Sequence, residues 1–234
     1  MAREPKIRTL VPMPSGTVLI VEDHELLAQS LGVALQAEGL QVHVADLRAQ
    51  RSVLDEARDV APQTVLLDLD LGDHQESGEA LVPDLVGLGA RVVVVSGSTD
   101  VLRLGTCLEL GAAGVLSKSR PFDDVLTAVQ NAASGDRVMP DAERQDLLTA
   151  MRRSRADQRE RLEPFERLTP REAEVLGLLM QGQAAEAIAR RFVVSEATVR
   201  TQIRGVLGKL GVTSQLAAVA EAHRVGWQPP VHQD

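Results

Sequence analysis

Asp68 and Asp70 stand directly behind the apolar run Thr64–Leu67, in a stretch VLLDLDLGDH whose third acid is Asp73. A second acidic pair, Glu22 and Asp23, follows the run TVLIV, Thr17–Val21. Carboxylates gathered within a few Å repel by roughly 4 kcal/mol per pair at about 4 Å and an effective dielectric of about 20. A divalent cation relieves that repulsion, and a few carboxylates completed by waters and phosphate oxygens suit Mg2+. Ser96 ends another apolar run and Lys118 follows a further one. A hydroxyl and an ammonium at those points can bind the oxygens of a phosphoryl group carried on an aspartate. The set describes an acyl-phosphate site whose chemistry is positioning and charge neutralisation. Solvated turns also favour aspartate, but five separate positions would have to coincide. His24, beside the acidic pair, reads as a surface histidine.

These groups need elements that bring them together. TVLIV (Thr17–Val21), VHVA (Val42–Ala45), TVLL (Thr64–Leu67), RVVVVS (Arg91–Ser96) and GVLS (Gly114–Ser117) are short and rich in β-branched residues. Between them lie stretches such as LLAQSLGVALQAEG with apolar residues at helical spacing. The alternation predicts an α/β fold, a five-stranded parallel, doubly wound sheet covered on both faces. All the candidate groups then fall at or just past the carboxyl ends of strands, where such folds bind ligands.

At 234 residues the chain suits two domains. Its net charge of −8 is uneven: residues 1–135 carry ten Lys/Arg against nineteen Asp/Glu, residues 136–165 seven of each, and residues 166–226 eight against six. Any nucleic-acid contact therefore belongs to the rear of the chain. The middle segment, MRRSRADQRERLEPFER, alternates charge and reads as a solvated helical linker. The single cysteine, Cys107, has no disulfide partner and reads as a small buried residue. No membrane-spanning or export segment is evident, so a soluble, cytoplasmic protein is expected.

From Leu168 the pattern becomes wholly helical. Thr169, Pro170 and Glu172 form a helix start with a capping hydroxyl, a proline at the first position and a carboxylate that reaches back. Ser195 is placed to cap a third helix of this region, on which Val199, Ile203, Val206 and Leu210 share one face and Arg200, Thr201 and Arg204 another. Within residues 190–209, Arg190, Arg191, Arg200, Arg204 and Lys209 are opposed only by Glu196. An outward basic helix face of this kind fits the major groove of DNA.

The motifs VLIVEDH, VLLDLDL, VVVVSGS and GAAGVLSK resemble the receiver domain of bacterial two-component response regulators. LTPREAEVLGLLMQGQAAEAIARRFVVSEATVRTQIRGVLGKLGV resembles the LuxR-type helix-turn-helix domain. Together they indicate a regulator of the NarL/LuxR type. The organisation implied is a receiver over residues 16–134, a charged helical linker over 135–165, and a small all-α four-helix DNA-binding domain over 166–228. The resemblance makes Asp68 the phosphoacceptor, Glu22 and Asp23 the acidic pair, and the Asp70 backbone carbonyl a further Mg2+ ligand. Ser96 senses the phosphoryl group and Lys118 pairs with it. In the second domain Arg200, Thr201 and Arg204 face bases, and Thr198, Gln202 and Lys209 contact the DNA backbone. Leu216, Val219 and Ala220 form a dimer face. Implied partners are a sensor histidine kinase, double-stranded DNA and a second copy of the chain.

The resemblance is imperfect around the acceptor. Leu71 and Gly72 stand where the family usually has Met-Pro, and Gly78 lies ten residues after Asp68 but eight after Asp70. Asp70 is therefore a rival acceptor. Asp68 is preferred because it ends the strand directly, leaving Leu69 to turn back into the core. Ser119 replaces the proline usual after the lysine, and Val115 replaces an aromatic that usually couples phosphorylation to output. A regulator that works without phosphorylation is the first alternative. A phosphatase of the haloacid-dehalogenase type, using Asp68 and Asp70, is the second; the order of the acids along the chain favours the receiver, which is not a turnover enzyme.

Overall fold

In a computed structural model of the chain, residues 16–49, 51–72 and 77–229 are described. Asp73 and His74 lie outside them. The chain divides into two compact units, Met1–Arg152 and Arg153–Asp234.

In the first unit, five strands alternate with five helices: β1 (Thr17–Val21), α1 (Glu25–Ala37), β2 (Gln41–Val44), α2 (Val53–Val60), β3 (Thr64–Leu67), α3 (Gly78–Gly87), β4 (Arg91–Ser96), α4 (Val101–Glu109), β5 (Gly114–Ser117) and α5 (Phe122–Ala133). The sheet is parallel throughout, in the order β2-β1-β3-β4-β5. The expected α/β receiver architecture is present. Strand β2 begins and ends one residue earlier than its apolar pattern suggests. As an edge strand with mostly exposed side chains, it takes its limits from pairing with β1, Thr17 opposite Gln41.

Period-two alternation divides the strand residues between two cores. Val18, Ile20, Leu66, Val93, Val95 and Leu116 pack against α1 and α5. Leu19, Val21, Val65, Leu67, Val92 and Val94 pack against α2, α3 and α4. Cys107 lies fully buried in the second of these cores, where burial pushes its thiol up to about 11. The strand order reverses direction between β1 and β3, so the loops after these two strands diverge and leave a crevice above their carboxyl ends. Glu22, Asp23 and Asp68 stand at that crevice.

Helix α6 (Asp141–Glu166) carries most of the charged segment. Its first turns belong to the receiver core: Leu147 and Leu148 pack on it, and Met151 is fully buried against Gly105 of α4.

The second unit contains α7 (Pro170–Met180), α8 (Ala185–Phe192), α9 (Glu196–Leu210) and α10 (Gln215–Val225). Thr169 and Glu172 form the reciprocal capping box that their spacing predicts, and Ser195 caps α9 by accepting from the Thr198 N–H. Val175, Ile188, Val199 and Ile203 share one core, while Phe165, Leu176, Val206 and Ala218 share another, closed by Trp227 stacked on Phe165 at 5.5 Å. Among the described residues no helix is long and apolar enough to cross a membrane.

Candidate phosphoryl site and nucleic-acid interface

The end of β3 delivers Asp68 into the crevice with only 2% of its surface exposed. Lys118, just past β5, places Nζ 2.7 Å from Asp68 Oδ2 and 2.8 Å from Glu22 Oε2. Asp68 Oδ1 is buried and makes no hydrogen bond. Burial raises the Asp68 pKa above the ordinary aspartate value, the Lys118 contact opposing this and the Glu22 charge adding to it. Burial disfavours the Lys118 charge, but its two carboxylate partners outweigh this and raise its pKa.

Glu22, Asp23, His24 and Asp68 offer ligand atoms all within 4.8 Å of one another. His24 is exposed, as expected of a surface histidine, and it pairs with the neighbouring acids. Its Nδ1 lies 2.9 Å from Glu22 Oε1 and 2.7 Å from Asp23 Oδ1, and the Glu22 hydrogen bond, followed by the Asp23 charge, raises its pKa. A cleft of about 540 Å³, lined in part by Glu22, Asp23, Asp46, Arg48, Leu71 and Gly72, opens beside this group. Ser96 is buried at the end of β4, and its Oγ accepts from the Ser98 N–H at 3.1 Å, which leaves the hydroxyl proton for another acceptor.

Asp70 differs in every respect. Its side chain is 60% exposed, turns away from the carboxylate group and pairs with Arg103 at 2.6 Å. The glycine spacing that made it a rival is accounted for by packing. A Cβ on Gly78 would lie 2.1 Å from the Asp68 carbonyl oxygen and 2.7 Å from the Leu69 Cα, so Gly78 seats the Asp68 backbone despite its distance along the chain. Gly72, where the family usually has proline, takes φ +72°, a conformation that glycine accepts without strain.

In the second unit Thr198, Arg200, Thr201 and Arg204 are exposed on α9, and Gln202 is half-buried. Arg200 pairs with Glu196 at 2.6 Å along the same helix. Lys209, expected at the DNA backbone, is instead drawn inward: its Nζ lies 2.5 Å from Glu172 Oε2, beside Gly205, whose missing side chain makes room for the carboxylate. On α10, Leu216 is 79% exposed and Ala220 is exposed, but Val219 packs partly into the core with Ile188 and Val199. The family resemblance had grouped Val219 with Leu216 and Ala220, and pattern alone left core packing equally open.

Comparison with known proteins agrees with both units. Residues 18–130 match the response regulator receiver domain, and residues 166–222 match the bacterial regulatory proteins of the luxR family. The nitrate/nitrite response regulator NarP of Escherichia coli is 32% identical over 214 residues, covering 88% of this chain and 95% of its own. The chain belongs to the NarL/LuxR family of two-component response regulators. NarL of Escherichia coli is 29% identical to this regulator over 211 residues, covering 89% of it and 95% of NarL. A solved structure of RcsB from Salmonella enterica serovar Typhimurium, bound to promoter DNA in the presence of phosphomimetic BeF3-, aligns with 88% of the regulator and 97% of its own chain. That match, at 22% identity and a TM-score of 0.50, shows a common fold. The regulator is thus a DNA-binding component of two-component signalling and not a classical enzyme.

Sequence reasoning missed Arg103 as part of this site. Its partners lie 24 to 34 residues away along the chain, so no local pattern marks it.

Proposed function

We propose that a sensor histidine kinase phosphorylates the regulator on Asp68 in the cytoplasm, and that this modification controls its dimerisation and DNA binding. The observation that carries this reading is Asp68 Oδ1: a buried carboxylate oxygen without a partner, set between two further acids and a lysine. The oxygen attacks phosphorus, the new O–P bond forms, and the bond from phosphorus to the donor breaks with its electron pair leaving on the donor. Glu22, Asp23 and Asp68, with the Asp70 carbonyl, offer the hard oxygen donors that Mg2+ prefers. When bound there, the ion would neutralise charge on the phosphoryl oxygens. Lys118 is close enough to follow the added charge from carboxylate to phosphoryl oxygen, and the Ser96 hydroxyl retains a proton to donate to it.

In the DNA-binding unit, Arg200, Thr201 and Arg204 read base edges while Thr198 and Gln202 contact the backbone. Two copies, paired through Leu216 and Ala220 of α10, present their α9 helices to half-sites about one helical turn apart.

Intact mass after incubation with Mg2+ and acetyl phosphate tests the acceptor. The native protein and Asp70→Asn should each gain one phosphoryl group, and Asp68→Asn none. A gain dependent on Asp70 would overturn the assignment. No gain from either acetyl phosphate or a kinase would favour a regulator that works without phosphorylation, a reading with which Val115 at the usual aromatic position agrees.

A further inference from the structure

Arg103 lies on α4, yet its guanidinium reaches the loop that carries Asp68. Nη1 donates to Asp70 Oδ1 at 2.6 Å, Nη2 donates to the Leu69 carbonyl at 2.9 Å, and Nε donates to Glu79 at the start of α3. The Leu69 carbonyl also accepts from the Gly78 N–H at 3.0 Å. The two residues after Asp68 are therefore held from both sides, by the close backbone contact of Gly78 and by the planar fork of Arg103. A lysine could not reproduce this arrangement, because one ammonium lacks the fixed divergent donors of a guanidinium.

The middle and end of the same helix, and the turn that follows it, are held by α6. Gly105 meets Met151 of α6 without space for a side chain, and Arg144 of α6 donates to the Leu108, Ala112 and Ala113 carbonyls at 3.4, 3.2 and 3.3 Å. Helix α4 thus joins the acceptor loop to the first turns of α6 within the receiver.

We propose that Arg103 is a positioning residue for phosphoryl transfer. It sets the Leu69–Asp70 backbone beside Asp68 and makes that backbone and α4 move as one, so that phosphorylation is transmitted to α6. This rests on Asp68 as the phosphoacceptor. Arg103 touches neither the phosphoryl group nor Asp68 and acts through the Leu69 carbonyl and Asp70.

The test uses the full chain with Arg103→Gln, Arg103→Lys and Glu79→Gln. Phosphoryl incorporation from acetyl phosphate is followed by intact mass against Mg2+ concentration, and hydrogen exchange of α4 and residues 141–152 is followed with and without beryllofluoride. Arg103→Gln should still be phosphorylated at Asp68, but with a half-saturating Mg2+ concentration about tenfold or more above native. The beryllofluoride-induced exchange change in α4 and residues 141–152 should be lost. Arg103→Lys should fall between, and Glu79→Gln, which removes one of three contacts and leaves the fork on Leu69 and Asp70, should stay near native. Native Mg2+ dependence together with a native exchange response in both Arg103 variants would overturn the role of Arg103 while leaving Asp68 as acceptor. A slowed rate with unchanged Mg2+ dependence and unchanged α4 response would overturn it too, reducing Arg103 to a stability contact. Absence of phosphorylation in the native protein would overturn both readings at once.

Discussion

Lys118 Nζ sits 2.7 Å from Asp68 Oδ2 while the other oxygen of the same carboxylate has no partner. One buried carboxylate is thus half-satisfied, which is a poor arrangement for stability and a useful one for chemistry. Its consequence is a pH-dependent stability difference. The folded-state pKa of Asp68 is raised by burial above 3.8, its ordinary value. A raised carboxyl contributes its full stability below the ordinary value and loses it as pH rises through the folded value. Asp68→Asn, which removes the buried charge, should therefore stabilise the receiver at pH 7 without Mg2+. Calorimetry of both proteins should show the advantage shrinking as pH approaches the ordinary aspartate range. An advantage that grows on acidification would contradict the assigned direction.

Gly78→Ala puts a methyl group within 2.1 Å of the Asp68 carbonyl oxygen, a backbone atom that cannot rotate away. The acceptor loop must shift, at a cost of about 1–3 kcal/mol for overpacking. Phosphoryl incorporation should fall sharply, while α7 to α10 keep their native unfolding transition. Intact mass and calorimetry on the same samples separate these effects.

Glu172 serves two elements, accepting from the Thr169 N–H at 2.7 Å and from Lys209 Nζ at 2.5 Å. Burial alone would raise its pKa, but Lys209 and the Thr169 donors outweigh that and hold it below the ordinary glutamate value of 4.5. The stability it contributes is present above that value and is lost as pH falls through the folded-state value. Glu172→Gln should cost the DNA-binding unit about 1–2 kcal/mol at pH 7, the scale of a helix cap and a charged hydrogen bond. The difference should narrow below the ordinary value. Trp227, the one tryptophan of the chain, stacks on Phe165 and provides the fluorescence readout.

Lys209 and Arg204 should behave differently although both are basic residues of α9. Arg204 is exposed, whereas Lys209 is engaged with Glu172. Arg204→Ala should weaken specific DNA binding by about 1–3 kcal/mol with little effect on folding. Lys209→Met should lower the unfolding temperature and leave the slope of log affinity against log salt nearly unchanged. A slope reduced by about one on Lys209→Met would instead return that residue to the phosphate contacts.

The strands and helices of this regulator are legible because each is specified by a local signal. Four of the five strands occupy the residues of their β-branched runs, and the caps at Thr169 and Ser195 are side chain to backbone contacts within one turn. The candidate phosphoryl residues were legible for a related reason: in a doubly wound sheet every strand's carboxyl end opens on one edge, so a residue just past a strand is already placed. Three matters were undetermined at that level. The spacing of Gly78, eight residues after Asp70, spoke for Asp70 as a rival acceptor, and only the fold puts Gly78 against the backbone of Asp68 and Leu69. The family resemblance offered Lys209 as a DNA-backbone contact, and only the packing of α7 on Gly205 brings Glu172 to it. Arg103 carried no signal at all. Sequence patterns report interactions among residues a few positions apart, whereas these three relationships arise between separate elements. They depend on close packing, which operates on distances of an ångström or less and is set only when the elements meet.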